Sequence, residues 1–388
     1  MKYNILILGA SYGSLLATKL LMAGHRVALV CTRPTAELIN REGTLVRFPI
    51  KGRQSLLDIE SKKLPGSLAA ITPDEVDPTP FDLVVLGMQE AQYGSPGVRE
   101  LMGRVALAGA PCLAIMNMPP LPYLKRIPRL RTETLEGCYT DPRVWDRFDP
   151  GLMTLASPDP QAFRPPDQPK NVLQVGLPTN FKAARFEAEE PTALLRRLEA
   201  DIEAARFDPS SLSLSPEETV VGDASLLPLA PEGRGVGVRG AGPIEIPVKL
   251  KVHHSLFVPL AKWPMLIAGN YRCIRRDDMI SIKETVHGNI DKSRETYDWV
   301  WKLCTRLGAD DADMVAFEKY AKAAEGLAAP SSAARALFGG AEHIERVDCL
   351  VRQIAHQLGL QSDTLDEIVT LIDERLAKNR TPGSAGRS

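Results

Sequence analysis

The sequence carries almost no net charge: 47 Lys and Arg stand against 48 Asp and Glu, a formal −1. A nucleic-acid-binding protein normally presents a basic face, so no nucleic-acid partner is expected. Long apolar runs are also missing. The best candidate, Leu256 to Ile267, is broken by Lys262 and two prolines, and spanning a bilayer takes roughly 20 uninterrupted apolar residues. No membrane partner is expected either. Cysteines are few and scattered, at Cys31, Cys112, Cys138, Cys273, Cys304 and Cys349, with no C-x-x-C. That spacing argues against a zinc site and a disulfide framework, so reduced thiols and no metal are expected. There is no internal repeat. Met1 to Leu8 runs straight into strand-like sequence, without a small-residue cleavage site behind it, which suggests a cytoplasmic protein.

What is present is ordinary globular sequence, 388 residues with 44% hydrophobic and 24% charged. This exceeds what one core usually serves, so two domains are expected. Residues 3–8 form an apolar run ending at Gly9. A helical pattern follows from Ser14 to Ala23, then a second apolar run from Arg26 to Cys31. This is a βαβ unit. Phe81 to Met88 and Pro111 to Asn117 read as further buried strands, with a helix from Val98 to Leu107 between them. Strands alternating with helices imply a doubly wound parallel sheet. Asn171–Gly176 is another strand candidate and Thr192–Ala205 an amphipathic helix. The expected division is a Rossmann domain over 1–207, a Pro/Gly/Ser-rich linker or insertion over 208–247, a helical domain over 248–380 and a disordered tail over 381–388. Helices are expected over Lys249–Ala261, Ile280–Leu307, Ala312–Leu327, Ala341–Leu358 and Thr364–Lys378.

The first turn reads Gly9-Ala10-Ser11-Tyr12-Gly13-Ser14. A strand that breaks at glycine and enters a helix leaves free N–H groups, which with the helix dipole bind a pyrophosphate. Ser11 replaces the second glycine of the usual G-x-G-x-x-G, and the third is either Ser14 or Gly13. NAD enzymes usually carry an acidic residue at the end of the second strand. Here Thr32 and Arg33 stand there, with no carboxylate until Glu37. Arg33 suits a 2′-phosphate, so NADP is the expected cofactor.

Lys249-Leu250-Lys251-Val252-His253, with Pro259-Leu260 shortly after, resembles the opening of the helical domain in the ketopantoate reductase family (2-dehydropantoate 2-reductase). Ser331-Ser332 ahead of Glu342-His343-Ile344-Glu345-Arg346-Val347-Asp348 resembles a second segment of that family. The resemblance is distant and implies a Rossmann domain followed by an all-helical domain of the 6-phosphogluconate dehydrogenase C-terminal type. It implies an NADP(H)-dependent reduction of a 2-oxo acid or related carbonyl, and Lys249 matches the family's catalytic lysine. By position it makes His253, Glu342 and Glu345 further catalytic candidates. Gln89 and Asn117 join the loop, Thr32 and Arg33 around the cofactor. Asn117, His253, Ser331 and Ser332 are candidates for the substrate.

The pantoyl-binding positions are the less well kept half of the pattern: His253 replaces an asparagine, and Phe257 or Val258 a second one. A changed substrate is therefore expected. Which of Glu342, His343 and Glu345 faces the cleft is open, as is a role for Arg272, Arg275 and Arg276 in holding a carboxylate. Alternative readings are an opine-dehydrogenase-like reductase using His253 and a non-catalytic NADP(H)-binding sensor. Long helices in the second domain make a homodimer plausible.

Overall fold

The computed structural model describes residues 1–208 and 242–381. The expected linker lies outside them apart from Asp208 and residues 242–247, and so does the tail beyond Thr381. Among the described residues no helix is long and apolar enough to cross a membrane.

The strands are β1 (Asn4–Leu8), β2 (Arg26–Val30), β3 (Leu45–Phe48), β4 (Leu57–Glu60), β5 (Ser67–Ile71), β6 (Leu83–Leu86), β7 (Cys112–Ile115), β8 (Met153–Ser157), β9 (Gln161–Phe163), β10 (Val172–Leu177), β11 (Phe181–Ala184) and β12 (Leu250–His253). The main sheet has the order β12-β11-β8-β7-β6-β1-β2-β5. From β5 to β8 all neighbours are parallel; β11 then runs antiparallel to β8 and parallel to β12. This is the Rossmann arrangement, with its crevice outside the strand ends where β1 and β6 lead apart. A second sheet, β4-β3-β10-β9, lies beside it and contains the Asn171–Gly176 strand anticipated from the sequence.

Helices α1 (Gly13–Met22), α2 (Arg33–Glu42), α3 (Val98–Ala108), the single turn α4 (Leu121–Leu124) and α5 (Glu189–Ala204) belong to this half. The remainder is helical: the short turn α6 (Trp263–Met265) leading into a π-helix over Leu266–Tyr271, α7 (Ile282–His287), α8 (Ile290–Leu307), α9 (Phe317–Ala324), α10 (Ser332–Phe338), α11 (Val347–Gln357) and α12 (Asp363–Arg380). One face of the main sheet, with Ile5, Ile7 and Leu113, packs on α1 and α5. On the other face, Leu6, Val84 and Ala114 share one continuous core with α8, α11 and α12.

Three expectations are corrected. Lys249–Ala261 is not a helix. Leu250 and Val252 alternate with Lys251 and His253, a period of two that suits an edge strand. Leu250 is buried there, and Lys251 reaches the carboxylates of Glu203 and Glu199 on α5. The main sheet thus draws its last strand from beyond residue 248. The helix expected from Ile280 is two, separated at Gly288, with the Asn289 side chain capping α8. The one expected from Ala341 starts only at Val347, so residues 341–346 are an extended connection.

Gly13 lets α1 lie close on β1. A Cβ there would stand 2.7 Å from Cγ2 of the buried Ile7. Gly13→Ala should lower unfolding free energy by about 1–3 kcal/mol through overpacking. Urea titration checks this; an unchanged midpoint would refute the close packing.

Candidate active site

The turn from β1 into α1 is shaped by Gly9, whose φ is +104°; a Cβ there would press on Met88 and on the Gly87 carbonyl. Gly13, rather than Ser14, fills the helix-packing glycine position. No acidic residue occupies the first turn of α1 and no side chain caps it; the Ser14 and Leu15 amides there donate to the Ser11 and Tyr12 carbonyls at 3.2 and 3.1 Å, and the helix dipole leaves this end favourable to an anion. The Ser14 hydroxyl donates to the Ser11 carbonyl at 2.8 Å. Tyr12 donates to the Pro160 carbonyl at 2.6 Å, and burial pushes its phenol well up.

At the end of β2, Thr32 starts α2 and bonds Thr35 at 3.1 Å. Arg33 stands where the ribose end of a dinucleotide would lie, but Glu75 at 3.1 Å and Asp74 at 3.8 Å already hold its guanidinium. A second guanidinium, Arg164, comes from just after β9 and faces Cys31. Burial lowers the Arg164 pKa and raises the Cys31 thiol to about 11.

The chemistry-bearing groups gather beyond β6 and β7. Asn117 follows β7, and its Nδ2 donates to the Glu345 carboxylate at 3.1 Å. The Glu90 backbone N–H, just past β6, donates to the same carboxyl. Burial nevertheless raises Glu345 to about 7, against the lowering effects of Asn117, the Glu90 amide and the Lys262 charge. Oδ1 of Asn117 is buried with no hydrogen-bond partner among the described residues. Lys262 ends the 3-10 turn Val258–Lys262; its Nζ donates to the Pro158 carbonyl at 2.6 Å and lies 3.9 Å from Asp159. Burial lowers its ammonium pKa, while Asp159 and Glu345 act the other way. Lys182 is 3.3 Å from the same Asp159 carboxylate.

This cluster rests on a fixed support. Tyr271, from the π-helix, donates to the Glu345 carbonyl at 2.6 Å and accepts from the Val347 amide at 3.2 Å. The Glu90 carboxylate accepts from the Thr140 amide at 3.0 Å and its hydroxyl at 2.9 Å. Arg346 holds the fully buried Asp348 through Nη2 at 2.9 Å and reaches Asp373 on α12 at 2.6 Å.

Several candidates fall elsewhere. Lys249 lies on the outer side of the sheet, where Glu203 and Glu245 pair with its ammonium and raise its pKa. His253 ends the edge strand, its titration shaped by burial and then by Lys182, Glu199, Asp313 and Lys251. Glu342 and His343 are exposed and face Arg380 of α12. Of the three residues left open, Glu345 is the one that meets Asn117 beyond β7. Ser331 is buried and caps α10 while donating to the Asn270 carbonyl at 2.7 Å; Ser332 is exposed at the start of that helix. Gln89 is exposed beyond β6. Arg272 turns to Ser293 of α8 and Arg276 to Glu374 of α12, and with Arg275 they line a separate groove of about 520 Å³.

Lys262 was not among the candidates read from the sequence. Its signal was present: it is the lone charge inside an otherwise apolar run, the very residue that breaks Leu256–Ile267.

No protein-family model and no curated protein sequence matches the chain. Its fold does match solved structures. A 2-dehydropantoate 2-reductase from Methylococcus capsulatus superposes with a TM-score of 0.61 at 11% identity, covering 97% of this chain and 98% of that one. A D-mandelate dehydrogenase in ternary complex with NADH and anilino(oxo)acetate gives 0.59 at 12% identity, covering 97% and 100%. A dimeric ketopantoate reductase from Staphylococcus aureus gives 0.54 at 10% identity, covering 97% and 99%. The Rossmann domain with a helical C-terminal region is thus the fold of the ketopantoate reductases.

Because burial raises the Glu345 pKa from 4.5 to about 7, the fold favours the neutral carboxyl. The stability gained from that preference is fully present below pH 4.5 and is lost as pH rises through about 7. Relative to the wild type, Glu345→Gln should therefore gain stability across that window. Urea unfolding at pH 4 and pH 8 reads the difference; an equal difference at both pH values would show that the carboxyl is not perturbed.

Proposed function

We propose that the chain is a nicotinamide-dependent reductase of a 2-oxo acid or related carbonyl compound, with Lys262 as the proton donor. The observation that carries this reading is the juxtaposition of Lys262, Glu345 and Asn117 beyond the strands that follow the phosphate loop. The role expected for Lys249 passes to Lys262.

The residues present fit a dinucleotide. The Gly9 turn packs so closely on Met88 and the Gly87 carbonyl that it excludes a side chain, and the start of α1, without an acidic residue, suits a pyrophosphate. Bound there, the cofactor supplies a hydride to the substrate carbonyl carbon. The chain's own residues supply the rest. The Lys262 ammonium donates a hydrogen bond to the carbonyl oxygen and then its proton, as negative charge develops there. Burial lowers its pKa and so makes that proton easier to give up. The Pro158 carbonyl and Asp159 hold the ammonium in place, and Glu345, anchored by Asn117, acts on it through its charge. Lys182 beside Asp159 provides a second cation, which suits the carboxylate of a 2-oxo acid.

NADP(H) is the cofactor that this reading favours. The end of β2 offers no free carboxylate to a ribose, and with Arg33 already paired, Arg164 is the second cation for a 2′-phosphate. A homodimer through the helical region goes with the same reading.

Lys262→Ala should lower kcat by about 10² or more in NADPH oxidation with a panel of 2-oxo acids, while fluorescence titration shows cofactor binding retained. Lys249→Ala should stay within a few-fold of wild type. The reverse pattern would return the catalytic role to Lys249. Separately, Arg164→Ala should weaken NADPH roughly tenfold and leave NADH unchanged. Equal loss for both nucleotides would remove Arg164 from the specificity argument.

A further inference from the structure

Residues 132–138 form a turn of 3-10 helix that docks on α11. Gln357 of α11 accepts from the Arg131 amide at 2.9 Å and donates to the Arg131 carbonyl at 2.9 Å and the Thr134 hydroxyl at 2.6 Å. At the other end of this contact, Cys138 and Cys349 bring their sulfurs to 3.2 Å across 211 positions of sequence. Cys138 closes the turn and is buried; Cys349 lies in the first turn of α11 and is half-buried.

We propose that Cys138 and Cys349 are a dithiol modification site, joined in a reversible disulfide by low-molecular-weight disulfides. The surroundings single out Cys349 as the attacking sulfur. It sits at a helix N-terminus, where the dipole favours an anion. Arg346 and Arg352 lie close by, and the Cys138 thiol donates to it. The hydrogen bond from Cys138 above all, with the charges of Arg346 and Arg352, lowers the Cys349 pKa, against burial and the charge of Asp348. Cys112 and Cys304, buried without such neighbours, are pushed up to about 12 and should be inert.

The exchange balances without a further reactant. The Cys349 thiolate attacks one sulfur of the small disulfide, forming a mixed disulfide and expelling one thiolate. Cys138 then loses its proton to solvent and attacks Sγ of Cys349, expelling the second. Two protein thiols are oxidised to one disulfide, and the small disulfide is reduced to two thiols. The bond would tie the turn to the helix that begins just after Glu345, so it meets the candidate site through its support. The inference itself does not depend on the proposed reaction.

The test treats the full-length protein with glutathione disulfide and maps peptides without reduction. The expected result is one Cys138–Cys349 cross-link, with a protein mass about 2 Da lower. Cys112 and Cys304 should remain free, and reduced glutathione in excess should reverse the bond. Cys138→Ser should instead accumulate a mixed disulfide on Cys349, because the resolving thiol is gone; Cys349→Ser should give neither product. The proposal is overturned if folded wild type, checked by circular dichroism, forms no cross-link. It is equally overturned if the link forms only in denaturant, or if Cys138→Ser takes up no glutathione at Cys349. Carbonyl reduction is measured separately, so failure of either idea leaves the other standing.

Discussion

The contact on which the rest of this arrangement depends is the Glu345 carboxyl held between the Asn117 amide and the Glu90 backbone N–H. Asn117 and Glu90 stand just past adjacent parallel strands, and Glu345 lies on the extended connection before α11. One side chain therefore joins the open end of the Rossmann sheet to the helical half. Burying a carboxyl is unfavourable unless its oxygens find donors. The two donors keep the group in place, and the remaining desolvation shows as its raised pKa. The same burial acts on Lys262 with the opposite sign. The acid is raised and the lysine lowered, so burial draws their pKa values toward each other.

The support behind this pair consists of groups that cannot easily shift. Tyr271 donates to the Glu345 carbonyl and accepts from the Val347 amide, so the π-helix and the start of α11 share one phenol. Arg346 balances Asp348, which has no exposed surface at all. A buried ion pair of this kind adds little net stability, but losing one partner is costly, so it specifies a geometry more than it strengthens the fold. The turn at 132–138 adds a further brace through Gln357 and the two neighbouring sulfurs.

The Rossmann half was legible because its signals are local. β1, α1 and β2 follow each other within thirty residues or so, and buried parallel strands show as unbroken apolar runs. The glycines of the first turn were readable as a phosphate loop, although only packing shows that Gly13 meets Ile7. Misreadings clustered in the segments after residue 248. Lys249-Leu250-Lys251-Val252-His253 alternates with a period of two, yet five residues also fit a helix start. Its partner strand, β11, lies about 70 residues earlier, so no local pattern could decide. Of the second sheet only the strand at Asn171–Gly176 was legible; its other strands are short, some are half-exposed, and they come from two distant stretches of chain.

The sequence by itself determined the fold class, the glycine turn between β1 and α1 and the place of Asn117 at a strand end. These follow from the order and composition of neighbouring residues. Only the tertiary structure decided which lysine and which acidic residue are buried beside Asn117 and the strand ends. Lys249 and Lys262 are both lysines beside apolar residues, and Glu342 and Glu345 are three positions apart. What separates them is burial and partners: Glu203 and Glu245 neutralise Lys249 at the sheet's outer side, and Arg380 faces the 342–343 corner. Lys262 and Glu345 are instead enclosed by chain from far away in sequence. Desolvation is a property of that enclosure, and it exists only once the chain has folded.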